Sequence, residues 1–404
     1  MNQNKVFVIL VDSLTHYDLQ KCPQLSNLKN NAMYFPNAKT IFPSLTFSSI
    51  SSMFTGLPPN KHGIIGNFYD RTQKKKMLFQ DVRNWDPNAI ETETIFEIAS
   101  KNGLRTIMIA GFAVGRICGK GADVVLDPTY IKYEDIASFP FEVPLSKLPQ
   151  WIREQIDDSY DSPLFQDYDP IGQKYIENPD MWILKLAKQA IKNDVGDLFL
   201  FHFPYLDFLK HVYGKDSTQV NNHLPLLEKI IEELISYIIN RYNSPLIFVM
   251  SDHGSTDVTE RLTLPIEGNS AIVIKNGGLS YVYSESDSLI DEIYYRILSS
   301  FKSKIEFVAR PHEMNRYNIV TKDIGDLTVC FKAGVTDSRT AKAVHGSLSS
   351  SDMTLFLSII GNNLSKGSYD DGSVLNIAPT IAEFLNISFS NKINEREDSL
   401  LQIS

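Results

Sequence analysis

Apolar runs of strand length recur along this chain with helical stretches between them, and that alternation constrains the fold more than any other feature. VFVILV at residues 6–11 is continuous and rich in β-branched and aliphatic side chains, the pattern of a strand covered on both faces. LRTIMIA at 104–110, DLFLFHF at 197–203, LIFVM at 246–250 and MTLFLSI at 353–359 read as further strands. Between them, 92–101 (TETIFEIASK) reads as a helix that stops at Asn102-Gly103, a good C-terminal signal. Residues 226–242 carry apolar side chains at 227, 230, 231, 234, 235 and 238, one buried helical stripe. Residues 376–385 read as a closing helix with Pro379 tolerated in its first turn. Strands alternating with helices predict βαβ units, hence an α/β fold with a mostly parallel central sheet and helices on both faces.

In such sheets, ligands gather outside the carboxyl ends of the strands. Seven metal-capable side chains sit just after strand-like runs or in the loops that follow: Asp12, Thr46, Asp207, His211, Asp252, His253 and His345. Each also has a plainer reading. Asp252-His253-Gly254 is also a common strand-end turn, with Gly254 letting the backbone swing away. Asp207 and His211, four residues apart, share one helix face and could share a metal or form a local ion pair. His345 alone could be a solvated loop histidine. Thr46 begins the helix-compatible FSSISSMF segment, where free N–H groups and the dipole would meet an anion, or it simply caps the helix. Pro58-Pro59 and glycines 56, 63 and 66 make a rigid loop that could return Asn67 beside Thr46.

At 404 residues the chain exceeds the usual single core. Residues 256–340 suggest a small α+β unit inserted as a cap between two parts of one catalytic core, 1–255 and 341–404. Residues 130–180, rich in Pro, Asp and Tyr, predict a long surface excursion. The net charge of −9 argues against binding to nucleic-acid polymers or anionic membranes. A small anionic substrate stays open, because bound cations invert the local field. Three distant cysteines, Cys22, Cys118 and Cys330, give no disulfide framework and fit a reducing compartment. The first apolar run is too short for a signal-peptide core and no run spans a bilayer. A cytoplasmic protein is therefore expected.

VILVDS, PSLTFSSISSMFTGLPPNKHGIIGN, DFLKHVYG, SDHG and AVHG follow the order and spacing of the alkaline phosphatase superfamily, and the chain most resembles its nucleotide pyrophosphatase/phosphodiesterase family. The resemblance implies an alkaline phosphatase-like fold and two divalent ions. One would be held by Asp12, Asp252, His253 and the Thr46 oxygen, the other by Asp207, His211 and His345. N and O donors suit zinc, and ions about 4 Å apart suit phosphoryl displacement; manganese or iron is also compatible. Thr46 would be the nucleophile, forming a covalent phospho-threonine, and Asn67 with the Thr46 N–H would bind a phosphoryl oxygen.

This sequence departs from the pattern in two places. Lys210 stands where the pattern has glycine, which suggests bulk and charge at the site entrance. HFPYL before Asp207 lacks the acidic residues of nucleotide-cleaving members, and Phe203 and Tyr205 are either base-stacking or packed strand-end aromatics. No sulfatase C/S-x-P-x-R segment occurs, and no arginine of the monoesterase type lies near Thr46. The expected reaction is therefore cleavage of a phosphodiester or pyrophosphate in a small anionic substrate. The runner-up is a phosphonoacetate hydrolase-like enzyme. It shares the Gly66-Asn67-Phe68-Tyr69 turn but needs lysines after the strand at 104–110, where this chain offers only Arg116 before Lys120. A catalytically inactive metal-binding protein is the remaining alternative.

Overall fold

The computed structural model describes residues 4–69, 87–112, 114–127, 131–132, 143–144, 150, 178–266, 271–390 and 396–403. The excursion expected at 130–180 lies almost wholly outside these residues.

The strands, in chain order, are β1 (Val6–Val11), β2 (Met33–Tyr34), β3 (Thr106–Ala110), β4 (Val124–Leu126), β5 (Leu198–Phe203) and β6 (Leu246–Met250). They continue with β7 (Ile272–Lys275), β8 (Leu279–Tyr283), β9 (Ile305–Ala309), β10 (Leu327–Phe331), β11 (Leu357–Ile360) and β12 (Gly367–Ser368). The principal helices are α1 (Thr46–Thr55), α2 (Ile95–Lys101), α3 (Pro179–Lys192), α4 (Tyr205–Tyr213), α5 (Thr218–Arg241), α6 (Asp287–Phe301) and α7 (Ile377–Leu385).

The main sheet has eight strands in the order β12-β2-β11-β6-β1-β5-β3-β4. β1 is parallel to both β5 and β6, and β3 is parallel to β5 and β4. Only β11 runs antiparallel to its neighbours, β6 and β2. The continuous apolar run of β1 is explained by burial on both faces. Phe7, Ile9 and Val11 join one core with Ile183, Leu227 and Ile231 from α3 and α5. Val6, Val8 and Leu10 join another with Ile50, Phe54, Phe96 and Ile381 from α1, α2 and α7. Phe199 of β5 stacks on Phe7 at 4.8 Å between ring centroids. Phe199→Ala should cost about 3–5 kcal/mol, read as a lower midpoint in urea unfolding.

Several elements begin elsewhere than the sequence suggests. α2 starts at Ile95, because Thr94 and Glu97 form a capping box. β3 starts at Thr106, because the Leu104 N–H bonds back to the Ala99 carbonyl and closes the helix end. α5 starts at Thr218 rather than 226. Ser217 caps it through the Val220 N–H, buried Val220 and Leu224 extend the apolar stripe backwards, and Pro225 removes one donor without stopping the helix.

Between β6 and β11, strands β7–β10 form an antiparallel sheet in the order β7-β8-β10-β9. α6 covers one face with Ile290, Ile293 and Ile297. The other face packs on Phe42, Leu45, Ile65 and Tyr69, so it rests on the segments flanking Thr46. Among the described residues no helix is long and apolar enough to cross a membrane, and the three cysteines are free and buried.

Candidate active site

Because β1, β5 and β6 are parallel, their carboxyl ends open at one edge, and the polar residues gather there. Asp12 follows β1, and Asp252 and His253 follow β6. α4 starts soon after β5 and carries Asp207 and His211. Thr46 is the first residue of α1, and His345 comes from the loop after the short strand Ala343–Val344. The donor atoms of Asp12, Asp252 and His253 lie within 4.8 Å of one another, as do those of Asp207, His211 and His345. The His253 and His345 rings stack at 3.6 Å between centroids and join the two groups.

The histidines are oriented alike. Nδ1 of His253 donates to the Gly254 carbonyl at 2.9 Å, that of His211 to Ala343 at 2.7 Å, and that of His345 to Ser44 at 2.8 Å. A nitrogen facing a carbonyl must carry a proton, so in the neutral form of each imidazole the lone pair lies on Nε2. His253 Nε2 lies 3.1 Å from Thr46 Oγ1, 3.4 Å from Asp12 Oδ1 and 3.3 Å from Asp252 Oδ2. His211 Nε2 lies 3.1 Å from Asp207 Oδ2. Ligands 2.0–2.1 Å from a tetrahedral ion are separated by about 3.3–3.4 Å, from the geometry of the tetrahedron. These donors therefore stand at the spacing a zinc-sized ion needs.

Electrostatics point the same way. Asp12 Oδ1, Asp207 Oδ1 and Asp252 Oδ2 are buried without a hydrogen-bond partner, a costly arrangement unless a cation meets them. Burial, reinforced by the charges of Asp252 and Asp207, pushes the Asp12 carboxyl well above its usual value, and burial also raises Asp252. Burial works to raise Asp207 too, but attraction and a hydrogen bond from His211 outweigh it and hold this carboxyl low. Burial lowers His253 to about 4, and burial together with neighbouring His253 lowers His345 to about 4. Both imidazoles are thus neutral, as metal ligands must be. His211, at the open side, is raised, because Asp207 overcomes the effect of burial.

Thr46 does not cap its helix: Leu45 holds the N-cap position, without a side-chain cap bond. Asn67 returns beside Thr46, and its Oδ1 accepts the Phe47 N–H at 3.0 Å. That assignment leaves the amide NH₂ as the end of the side chain able to donate. Gly254 is needed for close approach rather than for a sharp swing, since a Cβ there would lie 2.0 Å from the Ser351 carbonyl oxygen. Gly346, with φ of 107°, occupies a conformation side chains disfavour.

Two side chains lie outside the sequence reading. His202 Nε2 sits 3.1 Å from Asp12 Oδ2; a histidine inside the otherwise apolar β5 was the available signal. Asn276, between β7 and β8, accepts the Phe68 N–H and donates to the Phe68 carbonyl, both at 2.9 Å, and the Gly278 N–H bonds to the His345 carbonyl at 2.7 Å. Lys210 does not lie at the entrance. It is fully buried, with Nζ donating to the Ser13 carbonyl and to Asp18 Oδ2. Phe203 is core, and Tyr205 stacks on Phe208, as packed strand-end aromatics do. Lys120 is turned to the carbonyls of Ile90 and Thr92, and the Arg116 side chain lies outside the described residues.

This sheet, with polar residues gathered at one edge, is an alkaline phosphatase-like fold. The mouse ectonucleotide pyrophosphatase/phosphodiesterase 5, solved as an inactive threonine-to-alanine variant with AMP, superposes at a TM-score of 0.71, with 16% identity and 96% of each chain covered. A mutant of the alkaline phosphatase PafA superposes at 0.74, with 14% identity, 100% of this chain and 99% of that one covered. The chain belongs to the type I phosphodiesterase / nucleotide pyrophosphatase family, whose model matches residues 6–320. It is 28% identical to human ectonucleotide pyrophosphatase/phosphodiesterase family member 1 over 238 residues, 57% of this chain and 21% of that protein. It is 24% identical to an uncharacterized pyrophosphatase/phosphodiesterase of Schizosaccharomyces pombe over 314 residues, 74% of this chain and 55% of that protein. The chain thus spans about a fifth of the human relative and about half of the yeast one.

Proposed function

We propose that this protein is a two-metal hydrolase that cleaves a phosphodiester or pyrophosphate bond in a small anionic substrate through a covalent phospho-threonine. The observation that carries this reading is two ligand triads joined by the stacked His253 and His345 rings, with Thr46 Oγ1 3.1 Å from His253 Nε2 and three buried carboxylate oxygens without a hydrogen-bond partner. Asp12, Asp252, His253 and Thr46 would hold one ion and Asp207, His211 and His345 the other, with zinc the best match to the donors and their spacing. Bound there, the ions would make the threonine alkoxide accessible and neutralise the departing oxygen.

The chain's own residues do the rest. Thr46 Oγ attacks phosphorus in line, the bond to the leaving group breaks, and water later hydrolyses the phospho-threonine from the opposite side. α1 points its N-terminus at the anion, and the Asn67 amide donates to a phosphoryl oxygen, a preorganised contact worth roughly 3 kcal/mol in comparable sites. Asn67→Ala should therefore slow turnover by roughly 10- to 1000-fold with metal content unchanged; an unaltered kcat/KM removes Asn67 from the site. Family membership supports a nucleotide-containing substrate, and a cytoplasmic location remains part of the proposal.

The deciding experiment uses the zinc-reconstituted protein. Turnover of bis-p-nitrophenyl phosphate and of dinucleotides, with about two ions per chain by elemental analysis, is the expected result. Phosphate release from phosphonoacetate in place of diester cleavage would select the carbon–phosphorus reading. Retention of two ions without turnover of any of these substrates would favour the inactive metal-binding protein.

A further inference from the structure

The two-metal reading, on which this argument rests, leaves Lys210 unexplained. Lysine is rarely fully buried, and an ammonium taken out of water needs a partner and hydrogen bonds. Lys210 has no exposure at all, and its Nζ lies 2.7 Å from both the Ser13 carbonyl oxygen and Asp18 Oδ2. Both acceptors belong to the segment that follows Asp12. Ser13 has φ of 61°, a left-handed conformation that serine seldom adopts. Its N–H donates to Asp252 Oδ1 at 3.2 Å. Asp18 is itself fixed by the Thr15 N–H and hydroxyl, at 2.9 and 2.7 Å. Lys210 meanwhile stands on α4 between Asp207 and His211. One side chain thus runs from the helix carrying Asp207 and His211 of one triad to the turn that follows Asp12 of the other.

We infer that Lys210 is a positioning residue: its bond to the Ser13 carbonyl and its ion pair with Asp18 hold the Asp12–Ser13 turn in register with α4, and so set the two ligand triads relative to each other. Glycine at this position could not make the connection and would strand the Asp18 carboxylate in the interior.

The test compares two charge-neutral pairs, so that no buried ion is orphaned. Lys210→Met with Asp18→Asn removes the donor to Ser13. Lys210→Gln with Asp18→Asn keeps a donor on a side chain one atom shorter. Metal-stripped proteins are titrated with Co²⁺, and affinity, stoichiometry and the d–d absorption band are recorded. Wild type should bind two ions. The Met pair should bind at least one of them roughly tenfold or more weakly, the scale of loss when an outer support is removed, with a changed band, and the Gln pair should lose less. A Met pair that melts like wild type when metal-free yet binds both ions with native affinity and spectrum overturns the inference and leaves the two-metal reading intact. Should the Met pair not fold, the Gln pair decides: weaker binding with an altered band supports the inference, and native behaviour overturns it. Uptake of fewer than two ions by wild type overturns both readings together.

Discussion

Thr46→Ala should abolish turnover while leaving two divalent ions bound. The hydroxyl is the atom proposed to attack phosphorus, and no second hydroxyl is placed in that role, so the expected loss is roughly a thousandfold or more, typical of a deleted nucleophile. The fold should tolerate the change. Thr46 makes no cap bond, Leu45 holds the N-cap position, and alanine is the best helix former. Six metal donors remain, so elemental analysis should still find both ions. A burst experiment adds a positive sign: wild type quenched in acid during turnover should carry the phosphoryl group with its retained ester substituent (p-nitrophenyl phosphate from the bis ester, a nucleotidyl group from a dinucleotide) on the tryptic peptide containing Thr46, and the variant should carry none. Near-native turnover by the alanine variant would remove Thr46 as the nucleophile.

Metal removal should have the second largest effect, on stability as well as rate. In the metal-free protein the raised Asp12 and Asp252 carboxyls have folded-state values above the ordinary 3.8. Their contribution to stability is present below that value and is lost as pH rises through the folded values, so the empty site burdens the protein at neutral pH. His253 and His345, at about 4 against an ordinary 6.5, behave oppositely. Their contribution is present above 6.5 and is lost as pH falls toward 4. Zinc added to the stripped protein at pH 7.5 should therefore stabilise the fold by on the order of 4 kcal/mol per site at a thousandfold excess over Kd, read as a higher melting temperature. The gain should fade between pH 6.5 and 4, as protons compete for the imidazoles and carboxylates. Chelation at pH 7.5 should end turnover. A melting temperature indifferent to zinc at neutral pH would count against the ligand assignment.

The convergence of most of the proposed donors was legible in the sequence because they follow elements that announce themselves. Strands buried on both faces have unbroken apolar runs, their ends in a parallel sheet share one edge, and Asp12, Asp252 and His253 need no further information to be placed there. The helical spacing of Asp207 and His211 adds two more. Contacts between distant segments leave no such local mark. Lys210 meets Asp18 across 192 positions, and nothing in either neighbourhood names the other, so a buried cation read as an exposed one. His202 carried a faint signal, a polar residue within an apolar strand. Asn276 carried none, since its partner is a backbone peptide and any turn residue with an amide reads alike. The helix read from 226 begins at Thr218, because Val220 and Leu224 continue the apolar stripe backwards through Pro225.

The turn between β7 and β8 bears on any attempt to make chimeras. In this chain a lobe swap would withdraw the clamp on the Phe68 peptide and the bond to the His345 carbonyl. A transplanted lobe must bring its own equivalents of both grips, or the hybrid will lose speed along with its old preference.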